Sequence, residues 1–154
     1  MSTSLPREGR LAGVDFGTVR IGVAISDARQ SLASPLDNYA RGSTDQDARY
    51  FQRLVNEEAI VGLVVGLPVH VSGDESKKSL ESREFGNWLA SVTGLPVDFY
   101  DERLSSAIAD DFLEIGRLTK KQRQKRRDML AAQIILANYL DSDLRSSDVD
   151  PLSD

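Results

Sequence analysis

The 154-residue sequence contains no cysteine. That excludes a disulfide framework, a cysteine nucleophile and a thiolate metal site, and it suits a reducing cytosol. No run approaches the ~18 consecutive apolar residues that a membrane helix needs. Residues 1–10 include Pro6, Arg7 and Glu8 and no apolar segment, so no secretory signal is expected. No Gly-x-x-x-x-Gly-Lys-Ser/Thr loop is present to cradle nucleotide phosphates. Internal repeats are absent, as is any linker able to split the chain.

An apolar content of 40% points to a globular chain with a real core. The net charge of −5 argues at first against nucleic acid. Its distribution says more. Lys120, Lys121, Arg123, Lys125, Arg126 and Arg127 place +6 in eight residues, which leaves −11 for the rest. A local basic block can bind phosphate within an acidic total, because salt screens charges beyond roughly 8–10 Å. Such a block also reads as an ordinary solvated loop. Residues 142–154 are acidic and read as a flexible tail, residues 1–9 as a second tail, and 10–141 as one domain.

Leu11–Asp15 and Ile21–Ser26 are short β-rich runs separated by five residues that include Gly17, which predicts a hairpin. A third strand is expected near Leu36–Tyr39. Thr44-Asp45-Gln46-Asp47 resembles a capping box, and Ala48, Phe51, Leu54, Val55 and Glu58 then follow helical spacing. Ala59–Leu67 is apolar at both parities, as a strand covered on both faces would be. After a polar loop, Phe85, Trp88, Leu89 and Val92 mark a helix that Gly94 and Pro96 stop. A strand over Pro96–Tyr100 leads into Asp101-Glu102-Arg103, and a helix over 104–116 follows. The basic loop comes next, and Asp128 opens a last apolar helix over Met129–Leu140. Helices between strands imply parallel crossovers and an α/β fold.

Three acids stand at element ends: Asp15, Glu102 and Asp128. In an open α/β sheet, ligand sites form at strand carboxyl ends. If the first and last strands are neighbours, Asp15 and Glu102 meet there, and a helix beginning nearby aims Asp128 at the same point. Clustered carboxylates repel unless a cation joins them. Mg²⁺ suits carboxylates plus substrate phosphate, and two ions ~3.5–4 Å apart can stabilise both oxygens of a phosphodiester displacement. Each acid has a plainer reading. Asp15 fits turn chemistry, Asp128 fits a helix N-cap, and Asp101-Glu102-Arg103 fits a solvated strand end. Alternation lets only one of Asp101 and Glu102 face a given side. His70, the single histidine, could shuttle a proton but reads more simply as a surface-loop residue.

Four stretches, GVDFGTVRIGVAISD, VVGLPVHVSGDES, DERLSS and RRDMLAAQIILANYLD, resemble the YqgF family of Holliday junction resolvase-like proteins and pre-16S rRNA nucleases. The likeness covers about residues 10–141. It implies a ribonuclease H-like α/β fold: a mixed sheet with a leading antiparallel hairpin and flanking helices. It also implies a cytoplasmic, Mg²⁺- or Mn²⁺-dependent endonuclease acting in maturation of the 16S rRNA 5′ end, with ribosome-associated partners. Carried over by position, the metal-binding catalytic acids are Asp15, Glu102 and Asp128. Thr18, Arg103 and the six basic residues of 120–127 would contact nucleic acid. Asp101 and Asp27 are candidates for a fourth acid.

Three other readings compete. Resolution of four-way DNA junctions uses the same chemistry but needs a two-fold dimer to cut opposite strands symmetrically, and the sequence leaves monomer and homodimer both open. Asp-Phe-Gly-Thr also resembles the first phosphate loop of actin-like ATPases and sugar kinases. Those folds need a second Asp-x-Gly turn and a second lobe, and this chain has one such turn. A non-catalytic nucleic-acid-binding module would show salt-sensitive binding and no need of metal.

Overall fold

Strands β1 (Arg10–Asp15), β2 (Arg20–Ser26), β3 (Ala33–Ala40), β4 (Ile60–Leu67) and β5 (Val97–Asp101) form one mixed sheet in the order β3-β2-β1-β4-β5. The computed structural model describes residues 5–68, 77–101 and 119–142. The β1–β2 and β2–β3 pairs are antiparallel, and β4 and β5 run parallel to β1. Helices α1 (Thr44–Glu57) and α2 (Lys77–Thr93) cover one face, and α3 (Lys120–Leu140) covers the other. This is the mixed α/β sheet with a leading hairpin that the sequence anticipates. The predicted helix over 104–116 and the loop holding His70 lie outside the described residues.

Alternation along each strand sorts the two cores. Ala12 and Val14 of β1 join Phe51, Leu54, Phe85 and Leu89 beneath α1 and α2. Leu11 joins Ala24, Val64, Ala132, Ile135 and Leu136 beneath α3. In β4, Leu63 and Val65 enter the first core and Val64 the second, which is why that run is apolar at both parities. The first core holds Phe51 edge-on to both Phe85 and Trp88, at 5.9 and 6.4 Å between ring centres. Such pairs add about 0.5–1.5 kcal/mol each beyond the area they bury.

Several boundaries differ from the sequence reading, each for a local reason. The cap of α1 is Ser43 rather than Thr44. Its hydroxyl accepts from the Gln46 N–H, and the Gln46 side chain accepts from the Ser43 N–H at 2.8 Å. Asp47, the residue that would close a box begun at Thr44, is turned inward and only 1% exposed. The basic block is not a loop. Thr119 and Gln122 form a capping box, and the lysines, arginines and glutamines that follow are good helix formers. Asp128 is therefore no N-cap and sits in the third turn of α3. Strand β4 lies between β1 and β5, so the first and last strands are not neighbours. Residues 5–9, read as part of a tail, pack onto the sheet: Leu5 is buried, and Gln30 Nε2 donates to the carbonyls of Pro6 and Gly9 at 2.9 Å.

Ala59, read as strand, is the left-handed residue after α1, with φ +54°. An L-residue pays about 1 kcal/mol there, a cost glycine avoids. Ala59→Gly is therefore expected to raise unfolding free energy by about 0.5–1 kcal/mol in denaturant titrations; a lower midpoint would contradict the conformation.

Candidate active site

The three parallel strands β1, β4 and β5 end at one edge of the sheet, and Asp15 closes the first of them. Asp15 shares parity with Leu11 and Gly13, which meet α3. Its half-buried carboxylate is thus directed to the α3 face. Across the antiparallel ladder Asp15 pairs with Gly22. A Cβ on Gly22 would collide with the backbone carbonyl of Asp128, its carbon lying 2.8 Å away. Glycine at that position lets α3 rest its backbone directly on β2. Asp15 beside Gly22 in the sheet and Asp128 above it in α3 are consequently brought to one end and one face of the sheet.

The same row continues outward. Asn38 of β3 pairs with Gly22 on its other side. Its Oδ1 is buried and, among the described residues, has no hydrogen-bond partner. Buried acceptors are nearly always satisfied, by protein or by water. An unsatisfied acceptor in the row that holds Asp15 suits a hydrated cation, whose waters donate. Carboxylates with a neutral oxygen nearby form a hard donor set of the kind Mg²⁺ or Mn²⁺ takes. Arg20 Nε donates to Asp128 Oδ2 at 3.4 Å, a half-exposed contact of small energetic weight.

Beside Asp128 opens a cleft of ≈ 240 Å³. Its walls are the Phe16–Arg20 turn, Lys78 and Glu81 of α2, and Asp128 of α3. Two helices from opposite faces reach one cleft because it lies past the end of the sheet. The turn is held from behind by an ion pair between half-buried Arg41 and buried Asp47. Arg41 Nε donates to Asp47 Oδ2 at 3.0 Å, and Tyr39 Oη and the Gly42 N–H donate to the other oxygen at 2.7 and 2.9 Å. Burial alone would raise the Asp47 pKa, but the bonds from Gly42, Tyr39 and Arg41 outweigh it and hold the carboxyl below the usual range. Burial, and then the bond to Asp47, pushes the Tyr39 phenol up.

Of the residues singled out by sequence, Thr18 and Asp128 line this cleft, and Asp15 ends the strand that leads into it. Lys120, Arg126 and Arg127 lie exposed on the turns of α3 that precede Asp128. Glu102 and Arg103 lie outside the described residues, as do the side chains of Lys121, Arg123 and Lys125. Among the described residues, no three acidic or histidine side chains converge. Neither fourth-acid candidate lies in this row. Asp27 follows β2 at the opposite edge, where the Ser31 hydroxyl, then the Leu32 and Ser31 amides, hold its pKa down to about 2. Asp101 has the parity of Val97 and Phe99, which face the α1–α2 layer. Sequence reasoning passed over Arg20, Lys78 and Asn38. Arg20, two positions after the GVDFGT stretch, was legible as a cation flanking the turn; Lys78 and Asn38 carry no such mark.

Residues 9–142 match the sequence model of a family described as "RuvX: Holliday junction resolvase". A Rhodopirellula baltica protein named "Putative pre-16S rRNA nuclease" is 47% identical over 137 residues, covering 89% of this chain and 79% of the relative. A Paracoccus denitrificans protein of the same name is 41% identical over 138 residues, covering 90% and 87%. Among solved structures, the fold is similar to T. thermophilus RuvC in complex with a Holliday junction substrate, with TM-score 0.55 and 14% identity over 93% of this chain and 99% of that one. It is also similar to the yeast mitochondrial Holliday junction resolvase Ydc2, with TM-score 0.53 and 10% identity over 96% and 84%.

Two outcomes are expected from this geometry. Gly22→Ala forces backbone from backbone and should cost about 1–3 kcal/mol, read as a lower denaturation midpoint; an unchanged midpoint would contradict the close approach of α3. Asp47→Asn should cost about 1.5–3 kcal/mol near neutral pH. Because the folded pKa of Asp47 is depressed, that stability is present above the unfolded value of about 3.9 and is lost as pH falls through the folded one. The gap between wild type and variant should therefore narrow on acidification below roughly pH 4; a gap constant with pH would refute the assignment.

Proposed function

The chain belongs to the RuvX family of Holliday junction resolvases, and from that membership we propose that it is a divalent-metal-dependent nuclease that hydrolyses phosphodiester bonds of nucleic acid at the cleft beside Asp15 and Asp128. The observation that carries this reading is that Gly22, the strand partner of Asp15, is also the residue on which the backbone of Asp128 rests, so two acids far apart in sequence share one end of the sheet. Asp15 and Asp128 would hold Mg²⁺ or Mn²⁺, with Glu102 as the third acid. Asp98 and Tyr100 of β5 face α3, since Tyr139 Oη donates to Asp98 Oδ2 at 3.0 Å and Tyr100 lies in the second core. Glu102 has their parity and Asp101 does not, which favours Glu102. With β4 between them, β1 and β5 are about 10 Å apart, two strand spacings. A cation shared by an aspartate and a longer glutamate suits that gap.

When bound, the ion lowers the pKa of a water and offsets charge developing on the phosphate. The protein's own groups do the rest. Arg20 and Lys78 stand on the cleft walls to meet phosphate oxygens, and the Thr18 hydroxyl is a further donor. The cationic turns of α3 extend about 12 Å beyond Asp128, at 1.5 Å per residue. Lys120, Lys121, Arg123, Lys125, Arg126 and Arg127 lie along them, and with Arg103 they would hold the flanking backbone in a salt-dependent manner.

The substrate favoured is the precursor of 16S rRNA, cut in maturation of its 5′ end. The support is the name carried by relatives at 41–47% identity over nine-tenths of this chain. A cytoplasmic site of action and ribosome-associated partners belong to the same reading. Among the described residues, no helix is long and apolar enough to cross a membrane. A second reading, resolution of four-way DNA junctions, draws on the family's description and on the fold shared with junction resolvases. It requires a two-fold dimer.

Precursor rRNA, generic single-stranded RNA and a four-way junction, each incubated with Mg²⁺, Mn²⁺ or chelator, separate these readings. Cleavage of the precursor is expected, lost on chelation and abolished in Asp15→Asn, with the circular dichroism spectrum unchanged. An Asp15→Asn protein that cut at the wild-type rate would sink the nuclease proposal. Faster cutting of the junction by a dimer would favour the second reading.

A further inference from the structure

Arg41 lies outside the cleft and outside every motif noted in the sequence. We propose that it is a positioning residue, a clamp that fixes the turn between Asp15 and Arg20 and so sets the carboxylate of Asp15. The proposal rests on the nuclease reading and deepens it.

Arg41 directly follows β3, whose last residue, Ala40, pairs with Arg20. Three of its groups grip the turn. Its backbone N–H donates to the Val19 carbonyl at 3.0 Å. Its Nη1 donates to the Gly17 carbonyl at 3.3 Å. Its guanidinium plane lies over the Phe16 ring, 5.3 Å from the centroid, and over Phe85 at 5.8 Å. Phe16 in turn packs against Phe85 at 4.7 Å, which joins the turn to α2. The side chain thus holds the residue after Asp15 and the glycine beyond it, while the backbone of the same residue holds the approach to β2.

A clamp must itself be fixed. The opposite edge of the guanidinium donates to Asp47, a carboxylate that is 1% exposed and also bonded by Tyr39 and Gly42. Tyr39 stacks on Tyr50 at 3.9 Å, so the base of the clamp is seated in the first core. A buried carboxylate needs a cation, and that need alone would explain the Arg41–Asp47 pair. It does not explain why the same cation also binds a carbonyl of the turn and covers the ring beside Asp15. Only a planar, forked cation can do all three; lysine has one compact ammonium and no plane to stack.

The test compares Arg41→Lys and Arg41→Met with Leu54→Ala, a core truncation in α1 away from the turn. Each is assayed at a temperature where circular dichroism shows it folded. Two readouts are taken: kcat and KM on precursor rRNA, and Mn²⁺ affinity of the RNA-free protein by electron paramagnetic resonance. A displacement of about 1 Å at a reacting group can cost about a hundredfold. The expected result is therefore kcat lower by about ten- to a hundredfold with KM within about twofold, as misplacement rather than lost binding predicts. Mn²⁺ affinity should fall several-fold in both Arg41 variants, and Leu54→Ala should match wild type in both readouts. Folded Arg41→Lys with wild-type kcat and Mn²⁺ affinity would overturn the clamp, as would an equal loss in Leu54→Ala. If the wild-type protein cleaves none of the RNA substrates, the nuclease reading fails, and the Mn²⁺ comparison still decides the clamp.

Discussion

The backbone-to-backbone contact of α3 with β2 at Gly22 is the constraint on which the rest of the site depends. A helix normally rides on a sheet through its side chains. Here Gly22 and Gly13 remove them from the sheet side, and the Asp128 carbonyl, the Ala132 carbonyl and Leu136 come down onto the strands. Further along, Gln133 Nε2 donates to the Ala33 carbonyl and Tyr139 Oη to Asp98. These bonds reach β3 on one side and β5 on the other, so the helix is set diagonally across the sheet and can neither roll nor slide freely. Its phase decides which residue stands beside Asp15. One residue of rotation is about 100°, enough to carry Asp128 away from the row.

The two faces of the sheet have different tasks. The face under α1 and α2 is aromatic and apolar, and among the described residues its one deeply buried carboxylate, Asp47, is saturated with hydrogen bonds. The face under α3 is apolar over most of its area, but at the carboxyl ends of the strands it turns polar, with Asp15, Asn38 and Asp128 in or beside one row. The acids there stay half-exposed. The saturated ion pair lies on the other face, where Arg41 also binds the turn that follows β1.

Much of the fold was legible because its signals are local. The hairpin of β1 and β2, the doubly apolar β4, and the helical stripe of Phe85, Trp88, Leu89 and Val92 each follow from period and punctuation. The misread boundaries are places where two local solutions compete. Ser43 and Thr44 can each begin a capping box, and burial of Asp47 settles the matter. The run of lysine, arginine and glutamine looks like a loop by charge and a helix by propensity, and Thr119 with Gln122 starts the helix early. Within the site, Asp15 and Asp128 stood out as acids near element ends. Arg20, Lys78 and Asn38 did not, because nothing in their neighbours along the chain reveals what they face.

The sequence by itself determined that a β-rich chain without cysteine would form an α/β sheet, that an acid would close its first strand, and that a dense cationic segment would precede a late aspartate. Family membership over residues 9–142 agrees with that reading. Tertiary structure alone decided that β4 separates β1 from β5, that the cationic segment is helix, and that the backbone of Asp128 rests on Gly22, the strand partner of Asp15. The physical reason is that strand order and helix phase are set by packing across the sheet. The close approach that glycine permits is a property of two surfaces meeting, and no window along one chain segment contains both.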